Sequence, residues 1–283
     1  MQELKGLPVV NSLAETFKTQ IEELAENNII PKLAVVRVGG RDGDIAYEKS
    51  IIKRFAAVNA AVEVSALPPD ISQDALENKI ISLNGDGGVH GIILFRPLPR
   101  HLSSERIKAV ISEKKDVDCM GAANTAYVFE GNKKGYAPCT PQAVVEMLDY
   151  YGIDLTGRKV TVVGRSLVVG KPLAMLLLER NATVTICHTK TADIKSECKT
   201  ADIIIACAGV AKMINADYVR ENQVIIDVGI NYAGGKLCGD VDYESVINKV
   251  KAITPVPGGV GTVTTSILLK HTINSAINEL KGK

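Results

Sequence analysis

The chain carries almost no surplus charge: 33 Lys and Arg stand against 32 Asp and Glu, a formal net charge of +1 over 283 residues. That balance gives no indication of a nucleic-acid or membrane partner, although a local basic patch is compatible with it. No stretch approaches the roughly 18 uninterrupted apolar residues of a membrane-spanning helix. Met1 to Val10 lacks the charged start and long apolar run of a signal peptide, so the expected setting is soluble and cytoplasmic. The six cysteines (Cys119, Cys139, Cys187, Cys198, Cys207, Cys238) form no CxxC pair. In a chain this long they read as buried thiols rather than as a disulfide framework or zinc site. No cluster has metal-ligand spacing, so no metal is expected. Internal repeats and low-complexity segments are absent as well.

What is there is core-forming material. Hydrophobic residues make up 46% of the chain, enough for one large domain or two ordinary ones. Helical and strand patterns alternate, which favours an α/β fold. Leu13, Phe17, Ile21 and Leu24 share one face of a helix over Val10 to Asn27. Lys32 to Val38 reads as a strand, Asp44 to Asn59 as a helix capped by Asp44, and Ala61 to Leu67 as a strand. A helix over Ser72 to Asn84 ends at Gly85, and a strand over Val89 to Phe95 is broken by Arg96-Pro97-Leu98-Pro99. Residues 117–140 read as loop-rich. Thr140 and Pro141 then open a helix from Gln142 to Tyr151. Beyond it, apolar strands over Lys159 to Val163, Thr183 to Cys187, Asp202 to Cys207, Val224 to Val228 and Ala252 to Thr254 each end at glycine or a polar turn. That series describes a doubly wound parallel sheet, which binds ligands beyond the carboxyl ends of its strands.

The turn after Val163 carries Gly164 and Gly170, a G-x5-G spacing that follows a strand and opens a helix. Gly164 allows a tight turn and Gly170 a close backbone approach. The amides opening the helix over Lys171 to Glu179 would face a pyrophosphate. NAD-type sites usually place a carboxylate at the end of the second strand to hold the ribose hydroxyls. Here that strand ends Cys187-His188-Thr189-Lys190, and Arg165 stands in the first turn. Hydroxyl and guanidinium donors suit a 2′-phosphate, so NADP is favoured, with NAD as the alternative.

In these residues the chain resembles the bifunctional methylenetetrahydrofolate dehydrogenase/cyclohydrolases. The resemblance runs over nearly the whole chain. It is carried by Gly164-Arg165-Ser166 with Val169 to Pro172, Ala182 to His188, Asp227 to Asn231, Gly239 to Asp242 and Pro255 to Gly261, and also by Lys115 to Asp118 and Pro138 to Pro141. It implies a Rossmann-type NAD(P)-binding domain over residues 121–263. A second α/β catalytic domain would comprise 1–120 plus 264–283, with folate in the cleft between them. It implies a homodimer. By position it gives cofactor contacts to Gly164, Arg165, Ser166, Thr189 and Ile230, and Gly170, His188 and Gly209 join that set at the strand ends. It gives substrate contacts to Tyr47, Asp118 and the Pro257-Gly258-Gly259 turn, with Tyr47 stacking near the folate and Asp118 on the pterin edge. Tyr47 and Asp118 are the catalytic candidates.

The chain also departs from the family pattern. That pattern places Lys four residues after the Tyr, on the same helix face. Here the position is Ile51, while Lys49 and Lys53 point elsewhere. The Gln that touches this Lys in the family is replaced by Phe95. Oxidising the methylene bridge of the folate is a hydride transfer driven by a nitrogen lone pair, and it depends mainly on geometry. Hydrolysing the methenyl product needs a polarised water and proton shuttling, worth about 10²–10⁴-fold. Loss of the pair is therefore expected to cripple the cyclohydrolase and spare the dehydrogenase. Two cleft segments also differ: Cys119-Met120-Gly121-Ala122 replaces Gly-Phe-His-Pro, and Thr262-Val263-Thr264 replaces Pro-Met-Thr.

Three other readings stay open. One is a fully bifunctional enzyme with a water or another group replacing the lysine. Another is a non-catalytic homologue that binds nucleotide or folate. The third is a Rossmann dehydrogenase with a different small substrate. Among the remaining polar residues, His90 and His101 read as structural and His271 as a surface residue of the last helix. Asp227 reads as a pairing or capping group, and Asp240 and Asp242 as turn formers or folate-side contacts.

Overall fold

The computed structural model of the chain describes residues 1–282. Its elements run β1 (Gln2–Glu3), α1 (Gly6–Glu26), β2 (Lys32–Val38), α2 (Asp42–Ala56), β3 (Ala61–Leu67), α3 (Gln73–Gly85), β4 (Gly91–Leu94), α4 (Ser104–Val110), α5 (Ala122–Glu130) and α6 (Cys139–Tyr150). They continue β5 (Lys159–Val163), α7 (Gly170–Glu179), β6 (Thr183–Cys187), α8 (Ile194–Thr200), β7 (Ile203–Ala206), β8 (Val224–Asp227), β9 (Asn231–Ala233), β10 (Lys236–Cys238), α9 (Tyr243–Val246), β11 (Ala252–Ile253) and α10 (Val260–Lys281). The chain divides into two compact units, one of residues 12–139 with 265 onward, the other of 1–11 with 140–264.

The unit built on residues 12–139 holds a three-stranded parallel sheet of order β3-β2-β4. β2 is central and paired on both sides, which is why it reads as a nearly unbroken apolar run. β4 is shorter than the strand expected over Val89 to Phe95. Only Gly91 to Leu94 pair in register with β2, while the amides of His90 and Phe95 add one hydrogen bond beyond each end. Ile80 and Leu76 of α3 pack with Ala34, Val36 and Ile92 into one core. Each fully buried Leu, Ile or Val side chain among them contributes about 1.5–3 kcal/mol. α2 begins at Asp42, two residues before the expected start. Arg41 is its N-cap, so Asp44 lies in the first turn and pairs with the Arg41 guanidinium at 2.8 Å instead of capping. Ser72 caps α3, its hydroxyl accepting from the Ala75 amide at 3.2 Å.

The expected loop over 117–140 contains α5, which opens at Gly121 and closes on Gly131 in the left-handed conformation (φ 68°). Asn124 inside it donates to Asp116 and to the Glu113 carbonyl, and its Oδ1 accepts from Tyr136. Those bonds fix residues 121–139 in this unit. The boundary expected at residue 120 therefore lies at 139 instead. α6 starts at Cys139, which puts Thr140 inside its first turn and not at its cap.

The other unit holds a six-stranded sheet of order β1-β11-β8-β7-β5-β6, with every pairing parallel. From β5 the chain steps to β6 on one side and returns to β7 on the other, the doubly wound arrangement with its switch point at β5. Residues 1–11 belong here and not with the first unit. Gln2 and Glu3 pair with Ala252 and Ile253, and the Leu4 amide donates to the Ile253 carbonyl at 2.8 Å. A two-residue strand gives almost no periodic signal, so β1 is invisible in sequence.

Candidate active site

Tyr47 and Ile51 lie one turn apart on α2. Ile51 is fully buried at 0% exposure, whereas Lys49 and Lys53 face solvent. The place four residues after Tyr47 is thus an apolar core position in this chain. The Tyr47 ring sits 5.4 Å from that of Phe95, tilted 35°. Burial above all, with Cys139 and Asp118 nearby, pushes the Tyr47 phenol well above its ordinary range. Tyr47 therefore stays protonated at neutral pH, a hydrogen-bond donor and not a base.

Asp118 lies in the same unit. Its Oδ1 accepts from the Cys139 amide at 3.2 Å, and its Oδ2 stands 3.6 Å from the Arg96 guanidinium. Burial raises its carboxyl, while the Cys139 amide and Arg96 pull the other way. The neighbouring Asp116 is buried and fully engaged. It accepts from the Met120 and Gly121 amides at 2.8 Å each and from Asn124 at 3.0 Å. Those bonds shape the Cys119 to Gly121 segment, where Cys119 adopts a left-handed backbone at φ 54°.

The thiol of Cys139 is buried and donates to the Val117 carbonyl at 3.4 Å. Burial, then Asp118, drives its pKa well up, so it stays an inert thiol. His271, expected at the surface, is 6% exposed. Its Nδ1 donates to the Val117 carbonyl at 2.9 Å, because α10 turns that face into the unit. Sequence reasoning missed Arg96, Asp116 and Cys139. A charged residue directly after a buried strand was the available signal for Arg96.

In the other unit the pairings Val163–Cys187, Val163–Ala206 and Ala206–Asp227 align the ends of β5, β6, β7 and β8. The turns bearing Gly164 to Ser166, His188 and Thr189, Gly209, and Ile230 consequently leave the sheet along one edge. Gly164 has φ 138°, and a Cβ there would strike the Cys207 carbonyl. A Cβ at Gly170 would overlap the Gly164 carbonyl oxygen, so both positions require glycine for the turn to close. α7 opens at Gly170 with no side-chain cap. The Ser166 hydroxyl instead accepts from the Val169 amide at 3.1 Å within the turn.

Arg165 and Thr189 are exposed, and His188 turns its Nδ1 to the Lys190 amide at 3.1 Å. Ile230 is exposed, with Gly261 beside it, and the Pro257-Gly258-Gly259 turn belongs to this same unit. Asp227 and Asp240 are both buried and brace the row. Asp227 accepts from the Gly229, Asp240 and Val241 amides, while Asp240 accepts from Gly209 and Asn231. Asp227 is thus an acceptor for backbone donors, and Asp240 holds two of the strand-end turns in place.

This edge fits a phosphorylated dinucleotide. Its glycine turn admits a close backbone approach, the Gly170 amide opens a helix that has no side-chain cap, and an exposed guanidinium and hydroxyl stand where a carboxylate would repel phosphate.

Fold and strand-end row together define an α/β protein with a Rossmann nucleotide-binding unit. Residues 138–280 match the tetrahydrofolate dehydrogenase/cyclohydrolase NAD(P)-binding domain and residues 4–118 match the catalytic domain of the same family. The chain belongs to that family. It is 49% identical over 274 residues to the bifunctional protein FolD of Clostridium botulinum (strain Langeland), covering 96% of this chain and 97% of that protein. The crystal structure of the bifunctional FolD methylenetetrahydrofolate dehydrogenase/cyclohydrolase from Campylobacter jejuni superposes with a TM-score of 0.96 at 39% identity, covering 99% of each chain. The Trypanosoma brucei FolD structure, complexed with NADP cofactor and inhibitor, gives a TM-score of 0.91 at 30% identity over 98% of this chain and 97% of that one. Among the described residues no helix is long and apolar enough to cross a membrane.

Proposed function

We propose that this protein oxidises 5,10-methylenetetrahydrofolate to 5,10-methenyltetrahydrofolate with NADP, and that its cyclohydrolase activity is weak or absent. The observation that carries this reading is the fully buried Ile51 one turn from Tyr47, with Phe95 packed on the same ring. No amine or amide stands at either position, so the face lacks a group of its own to polarise water. The dehydrogenase step is spared because it asks for alignment more than for proton transfer.

When bound, NADP accepts the hydride. The residues of this chain do the rest. The Gly164 turn and the Gly170 amide would hold the pyrophosphate, since Pro172 has no N–H and the Lys171 and Leu173 amides already donate to the Ser166 and Val169 carbonyls. Arg165, Ser166, His188 and Thr189 surround the 2′-phosphate end, and Gly209 and Ile230 flank the nicotinamide side. Tyr47 packs against the folate as a neutral donor, and Asp118 takes the pterin edge. The Pro257-Gly258-Gly259 turn supplies backbone contacts to the substrate. NADP is preferred because the end of β6 carries no carboxylate, in line with the cofactor named in the trypanosomal complex. The protein works as a homodimer in cytoplasmic one-carbon metabolism, and a separate cyclohydrolase serves the same cell.

Initial rates of nicotinamide reduction with methylenetetrahydrofolate, taken in parallel with NADP and NAD, test the reading. Turnover with NADP at a higher kcat/KM than with NAD supports it. No turnover with either cofactor would overturn it.

A further inference from the structure

Arg96 directly follows the buried strand β4 and Phe95, yet its guanidinium does not simply enter solvent. Its side chain is 29% exposed, and among the described residues it ion-pairs with Asp118 alone, at 3.6 Å. The other oxygen of Asp118 is already taken by the Cys139 amide. A separation of 3.6 Å is close enough for a Coulombic pair and too long for a direct hydrogen bond. Oδ2 is therefore neutralised at a distance while its lone pairs stay available.

The Cys139 amide and thiol favour the charge on Asp118 by hydrogen bonding, while burial and Asp116 oppose it. Asp116 repels it, though that group is saturated by its own amide donors. The Tyr47 phenol and the Cys139 and Cys119 thiols, packed nearby, are held neutral and add no positive charge. Arg96 is thus the cation that offsets burial at this carboxylate.

We propose that Arg96 is a positioning residue for the folate: it keeps Asp118 a carboxylate with Oδ2 open to the N–H donors of the pterin edge. The inference rests on the reading of Asp118 as the pterin contact. A pterin presents amine and ring N–H donors together. A carboxylate with one fixed and one available oxygen is matched to them only while it is charged. Arg96 itself needs no contact with the reacting atoms.

The test is a pair of variants, Arg96→Gln and Arg96→Lys, with kcat and KM for methylenetetrahydrofolate measured across the acid and neutral range. Arg96→Gln should raise the folate KM about three- to tenfold, the scale of one lost charge-assisted interaction, with kcat and the KM for NADP little changed. The acid limb of its kcat/KM profile should move to higher pH, because Asp118 then holds its proton longer. Arg96→Lys should recover most of both effects, since the pair is a point-charge contact and not a bidentate one. An unmoved folate KM and acid limb in Arg96→Gln, or equal loss in both variants, overturns the proposal while leaving the dehydrogenase reading intact. A wild-type protein inactive on the folate would overturn that reading and the proposal with it.

Discussion

The ring of Tyr47 packs on that of Phe95 at 5.4 Å, and the next turn of the same helix carries Ile51 into the core at 0% exposure. Ile51 and Phe95 are both buried apolar side chains. Placing Lys at 51 alone would push an ammonium into a site with no designated partner, at a cost of roughly 2–4 kcal/mol. Supplying the amide partner as well should relieve much of that cost. We therefore expect Ile51→Lys to lower the melting temperature and the Ile51→Lys, Phe95→Gln double variant to be more stable than the sum of the single effects. The double variant should also hydrolyse methenyltetrahydrofolate at least about tenfold faster than wild type, within the usual reach of acid–base catalysis. A double-mutant cycle in urea, with loss of methenyl absorbance as the second readout, checks both.

Arg165 is exposed beside the glycine turn, at the row where the ends of β5 and β6 align. The role proposed for it is to hold the 2′-phosphate. Arg165→Ala should raise the KM for NADP by about tenfold or more and leave that for NAD within about twofold. Parallel saturation curves with the two cofactors check the prediction. An equal effect on both would mean that Arg165 serves the shared pyrophosphate.

Cys119 holds φ at 54°, a conformation that costs an L-residue about 1 kcal/mol or more. Its thiol is pushed up to about 12, chiefly by burial and then by Asp116, and its one polar contact is a 4.0 Å approach to Thr125. Little is lost on removing it. Cys119→Gly should stabilise the protein by about 0.5–1 kcal/mol, the relief of strain exceeding the added chain entropy. Chemical denaturation measures the difference.

The centre of the Rossmann sheet was legible because β5, β7 and β8 are almost wholly buried and read as short apolar runs. β5, β6, β2 and β3 match their expected limits to the residue. The ends of helices were harder. Asp44 looked like a cap, but Arg41 holds the extended backbone that a cap requires. α5 was hidden because its order comes from the distant carboxylate of Asp116 and from Asn124, not from a hydrophobic stripe. His271 read as exposed because α10 is apolar on most sides, so periodicity could not say which face was inside. The individual site positions came with the family resemblance. The Arg96–Asp118 pair did not, since it joins residues 22 positions apart in the chain.

Asp227 supplies a pH signature. Burial pushes its carboxyl up to about 6, although three backbone amides favour its charged form. A carboxyl bound to its proton more tightly in the folded state stabilises the fold most at low pH. That contribution fades as pH rises from the unfolded value of about 4 through the folded value. Asp227 should therefore make stability decline with rising pH between about 4 and 6, against the usual carboxylate trend. Asp227→Asn should remove that slope. It should also cost about 2–4 kcal/mol at neutral pH, because its amide nitrogen meets donors where an acceptor is needed. Urea midpoints at several pH values separate the two effects.

The most direct test of the central claim is a single time course with methylenetetrahydrofolate and NADP, following reduced nicotinamide and methenyltetrahydrofolate together beside a protein-free blank for spontaneous hydrolysis. A dehydrogenase whose Ile51 and Phe95 have replaced the hydrolytic pair will accumulate methenyl product in step with reduced cofactor, with decay no faster than the blank. Reduced cofactor that rises while methenyl product disappears faster than the blank would contradict the account and mark a fully bifunctional enzyme with another group in the role of the lysine.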